Sequence, residues 1–264
     1  MKNLRFLTII SLMAVLFLSS CKSDDSSGDD TTDDANSNLE NKQPLGESAE
    51  DLLANIVFDR LVVDFVSIDG FEPRAETVTN LQTFLEERLN KPGGIVINSR
   101  SVAPVGDAPY TTDEIRDIED AVRNRYNEGS TIAVFILWAD GASTNDTQFN
   151  KTLGTAYRNT SVVLYEPTIR EFSNDTGEPS RVALESTTLI HEVCHLLGLV
   201  NLGTPLTSDH EDPFNSKHCI VEDCLMYFQT EVQGVAPKFK MKNLMEVTPL
   251  DPLCIADLQA NGGK

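Results

Sequence analysis

Apolar positions along the chain recur in two periods, and the two alternate. Leu61-Val62-Val63-Asp64-Phe65-Val66-Ser67-Ile68 is rich in β-branched and apolar residues and predicts a buried strand. Val78, Leu81, Leu85 and Leu89 then fall at helical spacing, which predicts an amphipathic helix ending before Lys91-Pro92-Gly93-Gly94. Ile95-Val96-Ile97 predicts a second strand. Thr111 and Glu114 form a capping-box pattern that opens a second helix with Ile115, Ile118 and Val122 as its apolar stripe. Ile132 to Trp138 is nearly all apolar, as befits a strand covered on both faces, so it belongs at the centre of a sheet. After a polar loop, Ser161 to Tyr165 predicts one more short strand, and Glu178-Pro179-Ser180 introduces a further helix. Val182, Leu189, Val193, Leu196 and Leu197 form its buried side, and Gly198 lets it stop in a left-handed turn. Pro252 to Leu258 reads as a short closing helix. The alternation predicts an α/β (α+β) fold, a mixed twisted sheet with covering helices and a loop-rich C-terminal subdomain. Gly203 to Cys224 lacks periodicity, and loops of that length inside a domain usually carry function.

The N-terminus changes the picture of where the protein works. Lys2 and Arg5 precede the apolar run Phe6 to Leu18, which is too short and too early to be a mature membrane span, so residues 1–20 read as a signal peptide. Leu18-Ser19-Ser20-Cys21 resembles the lipobox of bacterial lipoproteins, which implies that Cys21 is lipidated; the alternative is ordinary secretion with a coincidental cysteine. Residues 21–48 are polar and acidic and read as a flexible tether, leaving 49–264 as a single domain. Lys22-Ser23-Asp24-Asp25 resembles signals that send some lipoproteins to the outer face of the outer membrane, so a surface-exposed cell-envelope location is expected. The formal net charge of −20 argues against nucleic acid and against adhesion to anionic lipid, so the lipid anchor is the expected membrane link.

The chemistry is concentrated in Leu189-Ile-His191-Glu192-Val-Cys194-His195-Leu-Leu-Gly198. Histidines four residues apart on a helix share one face and can close on one metal ion, with Glu192 placed to hold a water against it. A catalytic zinc takes about three protein ligands plus a water whose pKa it lowers toward neutrality. The chain holds 4 histidines, and the other two, His210 and His218, follow within the same short window.

The HExxHxxG helix following the sheet, with a methionine downstream, resembles the metzincin clan of zinc metalloproteases. In that clan a third histidine comes three residues after the glycine, and here that position is Asn201, which reads better as a turn or cap residue. Further on, His218-Cys219-Ile-Val-Glu-Asp-Cys224-Leu225-Met226-Tyr227 resembles the archaemetzincin pattern. The resemblance implies His191, His195 and His218 as zinc ligands, Glu192 as general base, Met226 as the Met-turn beneath the site, and Tyr227 near the substrate or in packing. His210 competes as third ligand, although Ser208-Asp209-His210-Glu211-Asp212 looks like an exposed acidic loop. The implied function is a zinc-dependent metalloendopeptidase acting on protein or peptide as a monomer. Substrate would pair along a sheet edge, for which Ser161–Tyr165 is the candidate. The rival is a non-catalytic zinc-binding surface lipoprotein that serves as an interaction module.

With Cys21 set aside, Cys194 falls inside the metal helix as a buried filler. Cys219, Cys224 and Cys254 bracket the Met-turn. In an oxidising compartment a disulfide between two of them is the default. The alternative is a second, structural zinc held by the three thiolates plus His210, comparable to the four-cysteine site of archaemetzincins.

Overall fold

The computed structural model describes residues 38–228, 232–234 and 246–264; the signal peptide, Cys21 and the first part of the expected tether lie outside them. Five strands form one sheet in the order β2-β1-β3-β6-β5: β1 (Arg60–Ile68), β2 (Gly94–Val102), β3 (Thr131–Ala139), β5 (Gly154–Arg158) and β6 (Ser161–Tyr165). All pairings are parallel except β5 with β6, so the sheet is mixed, as expected. β4 (Asn150–Thr152) pairs separately with β7 (Val232–Gly234). The helices are α1 (Ala49–Leu53), α2 (Ala75–Arg88), α3 (Thr112–Val122), α4 (Glu166–Glu171), α5 (Arg181–Leu196) and α6 (Pro252–Ala260). No helix among the described residues is long and apolar enough to cross a membrane.

β3 lies in the middle of the sheet, and its continuous apolar run resolves into two faces because side chains alternate along a strand. Ile132, Val134, Ile136 and Trp138 join Leu81 and Leu85 of α2 and Leu184, Leu189, Val193 and Leu196 of α5 in one core. Phe135, Leu137 and Ala139 join Ile115 and Ile118 of α3 in a second core on the opposite face. The capping box of α3 forms as the sequence implies: Thr111 Oγ1 accepts from Glu114 N–H, and the Glu114 carboxylate accepts from Thr111 N–H. Burial of Trp138 against α4 brings a polar obligation, met by Glu166 Oε2 accepting from Nε1–H at 2.6 Å.

Two expectations change. The tether was expected to reach Ser48, but the packed chain begins earlier. Asn41 is fully buried; its Nδ2–H donates to Ala133 O and to Thr160 Oγ1, and Asn159 Nδ2–H donates to Ser48 Oγ. Polar composition misleads here because these groups meet buried partners rather than water. The second change is at the sheet edge. Ser161–Tyr165 is flanked on both sides, by β3 and β5, and β5 is the edge strand. Gly-Thr-Ala-Tyr-Arg has no apolar run to advertise a strand, and Asn159-Thr160 between β5 and β6 lacks the glycine of a two-residue hairpin signal.

Candidate metal centre

Helix α5 brings the first two histidines together. Ser180 caps it, its hydroxyl accepting from Ala183 N–H at 3.2 Å, and every residue from Ala183 to Leu196 is buried. Such a helix must satisfy its polar side chains internally. Glu185 accepts from Thr77 Oγ1–H and Arg74 N–H and pairs with Arg181, and Ser186 accepts from Asn80 Nδ2–H at 2.9 Å. These bonds lock α5 against α2. The turn at its C-terminal end is one only glycine can make: Gly198 has φ 76°, and a Cβ there would lie 2.5 Å from Thr204 N and 2.7 Å from Ala49 Cβ.

The ring centroids of His191 and His195 are 4.8 Å apart, edge to face. His218 arrives from the far side of the long excursion, its ring 5.3 Å from His191 and 5.2 Å from His195. One ring nitrogen of each lies within 4.8 Å of the others, a group that could hold a metal ion. The tautomers suit that use. His191 Nδ1 is 2.7 Å from Leu225 O and His218 Nδ1 is 3.1 Å from Ser216 O. A carbonyl only accepts, so both Nδ1 atoms carry a proton, and in the neutral ring Nε2 is then the nitrogen that can ligate. Burial pushes His195 down to about 3, with His218 adding to the drop, which keeps its imidazole neutral. Among the described residues no other His, Cys, Asp or Glu joins this group.

Glu192 is fully buried, and its Oε2 accepts from Ala156 N–H of the edge strand at 2.8 Å. The approach is close because residue 154 lacks a side chain: a Cβ on Gly154 would stand 2.8 Å from Glu192 Cγ and 3.1 Å from the Thr188 methyl. β5 bulges immediately after Ala156, where the register shifts. Sequence reasoning missed both Gly154 and Ala156, because their role is carried by backbone and by an absent Cβ.

Met226 is fully buried in the turn that follows Cys224, whose Leu225 carbonyl orients His191. Tyr227 is half-buried, its ring tilted 52° against Phe228 with the centroids 4.8 Å apart. Asn201 takes φ 58° and donates through Nδ2–H to Glu211 Oε2, the turn role its residue type predicts. His210 is not the exposed loop residue that its acidic neighbours imply. It is 2% exposed, with Nε2 2.7 Å from Asp257 Oδ2 and Nδ1 3.3 Å from Cys219 Sγ, so both nitrogens are engaged away from the three histidines. The acidic run misleads because backbone pairing of His210–Asp212 with His218–Ile220 folds the excursion back onto the domain.

The expected disulfide is absent. Cys194, Cys219, Cys224 and Cys254 are all free and buried, and the Sγ atoms of Cys224 and Cys254 are 3.6 Å apart. Cys219, Cys224 and Cys254 instead gather with Asp251 as a second group that could hold a metal ion, with Asp251 where His210 was expected. Hydrogen bonds from the thiols of Cys224 and Cys254 hold the Cys219 thiol well below its ordinary range.

No family model matches the chain, and no curated protein matches it. Four solved chains match by structure. One is the crystal structure of an archaemetzincin from Methanopyrus kandleri, 14% identical, covering 76% of this chain and 94% of that one, with a TM-score of 0.48.

Proposed function

We propose that this protein is a zinc-dependent metalloendopeptidase held in the cell envelope by a lipid on Cys21. The observation that carries the reading is the convergence of His191, His195 and His218, with the Nδ1 atoms of His191 and His218 turned to backbone carbonyls, the orientation a ligating histidine takes. Three imidazoles with no fourth side-chain ligand among the described residues match the ligand count of a catalytic rather than a closed structural zinc. A zinc ion bound there would supply a Lewis acid for the scissile carbonyl and lower the pKa of a water toward neutrality.

The chain's own residues do the rest. Glu192 takes a proton from the attacking water and passes it to the leaving amine nitrogen. The Ala156 N–H bond to Oε2 orients that carboxylate. An extended peptide would add along the outer side of β5, the edge strand among the described residues, with main-chain hydrogen bonds supplying affinity and side-chain pockets supplying selectivity. The rival, a non-catalytic zinc-binding module closed by a fourth histidine, is disfavoured by His210, whose nitrogens face Asp257 and Cys219.

The test is the purified ectodomain on a peptide library, with and without chelator. Cleavage should vanish on chelation and return with zinc. Glu192→Gln should keep one zinc on the histidines while turnover falls about a hundred- to ten-thousand-fold. A Glu192→Gln enzyme that cleaves at the native rate removes Glu192 as the base. For the anchor, Cys21→Ala should release the protein from the membrane fraction; a variant that stays there removes the lipid.

A further inference from the structure

Among the described residues two phenylalanine, tyrosine or tryptophan side chains are exposed, Phe214 at 93% and Phe149 at 65%. Each stands just ahead of a segment that builds the histidine site. Phe214 lies four residues before His218. Phe149 lies five residues before Gly154, whose missing Cβ lets the edge strand meet Glu192.

The backbone at both positions is held by its own turn. Asp212 Oδ1 accepts from Phe214 N–H at 2.8 Å and from Asn215 N–H at 3.3 Å, and Oδ2 accepts from Asn215 Nδ2–H at 2.8 Å. Main-chain bonds then tie that turn to the third histidine: Asp212 N–H donates to His218 O at 2.8 Å, and His218 N–H to Asn215 O at 3.2 Å. The second turn is built the same way. Thr147 Oγ1 accepts from Phe149 N–H at 3.1 Å and from Asn150 N–H at 2.9 Å, and Thr147 N–H donates to Asn150 O at 2.8 Å. Asp146 Oδ1 accepts from Thr152 N–H at 2.9 Å, fixing the turn to β4 directly ahead of β5. All of these bonds come from backbone, Asp, Asn and Thr, so a small residue in place of either phenylalanine would close its turn equally well. Each ring forgoes the burial that a phenylalanine ordinarily gains on folding. Large apolar area on a fixed backbone is what an anchor for a binding partner needs.

We propose that Phe149 and Phe214 grip the substrate, so that the site selects extended segments with large apolar residues on both sides of the cleaved bond. Phe149 meets the part of the peptide that runs along β5 past Gly154 toward β4, and Phe214 meets the part on the His218 side of the centre. Two anchors on separate segments read two separate stretches of the peptide, so each sets its own preference. The substrate class rests on the peptidase reading above; the affinity of the two rings for apolar peptide does not.

The experiment uses the zinc-loaded full chain and two sets of labelled peptides, one rich in Leu and Phe and one with Ala in their place. Cleavage is followed as kcat/KM, and binding by fluorescence anisotropy on the Glu192→Gln variant and on the wild type. Phe149→Ala and Phe214→Ala should each lower kcat/KM and affinity about three- to tenfold for the apolar set, each on a different side of the cut, and leave the Ala set unchanged. Phe149→Leu and Phe214→Leu should restore most of the loss. Zinc per chain and the urea midpoint should match the wild type in all four. Unchanged selectivity in both Ala variants of a cleaving enzyme overturns the grip and leaves the peptidase reading intact. A loss that follows a lowered zinc content or urea midpoint assigns the rings to the fold and also overturns it. A wild type that cleaves nothing but binds the apolar set through both rings overturns the peptidase reading and leaves the grip in place. A wild type that neither cleaves nor binds overturns both.

Discussion

At the scale of single residues, Glu192 is positioned by what surrounds it rather than by its place in the motif alone. Its carboxylate is buried and held by a backbone N–H of a different element, and that element can approach only because residue 154 is glycine. Gly154→Ala would place a methyl 2.8 Å from Glu192 Cγ, so either β5 or the carboxylate must shift. We expect a loss of about 1–3 kcal/mol in stability from overpacking, read as a lower urea midpoint, with kcat falling while the zinc content stays constant. Retention of full kcat would mean that the strand can retreat without disturbing the Glu192 carboxylate. Glu119 offers a second residue-scale case. It accepts from Arg123 at 2.6 Å and from Arg158 at 2.9 Å, and neither Glu119 nor Arg123 has an accessible side chain. Glu119→Ala leaves Arg123 buried without its counter-charge and should cost about 3–5 kcal/mol, measured by denaturant unfolding.

At the scale of elements, α5 is the axis of the site and is buried almost all round. Most surface helices show one apolar stripe; this one carries Glu185, Ser186, Thr187 and Thr188 into the interior. Several of these polar side chains are matched by a partner on a neighbouring element, such as Thr187 Oγ1 accepting from Thr248 N–H at 3.2 Å. The start of the helix rests on Ser180, and Ser180→Ala should lower stability by about 1 kcal/mol, again measured by urea unfolding. The motif itself was plain in the sequence, since His191 and His195 need only helical spacing to meet. The edge strand was not, because β5 earns its place through hydrogen bonds to β6 and Glu192 rather than through apolar side chains.

At the scale of the whole molecule, residues far apart in the chain close the domain. Asn41 is buried against the ends of β3 and β6, so a chain starting at Ala49 loses its hydrogen bonds to Ala133 O and Thr160 Oγ1. Each buried group left unpaired costs about 1–3 kcal/mol. A chain beginning at Asn38 should therefore unfold at the same urea concentration as the full ectodomain, and one beginning at Ala49 at a distinctly lower one. Equal midpoints for the two truncations would show that the packed N-terminal segment adds nothing. The C-terminal helix closes the domain as well: its Asp257 accepts from Thr207 and holds His210, so the long excursion is pinned from a point 47 residues away from that histidine.

Local pattern was enough for the alternating strands and helices, for the centrality of Ile132–Trp138, for the capping box at Thr111 and for the pair of histidines on one helical face. Those features depend on period, propensity and spacing, which neighbouring residues settle among themselves. The meeting of His218 with that pair, the buried pairing of His210 with Asp257, the role of β5 as the edge and the gathering of three thiols with Asp251 depend on where distant segments come to rest. Only packing decides such meetings, because their partners lie tens of residues apart and nothing in the intervening chain encodes the distance between them.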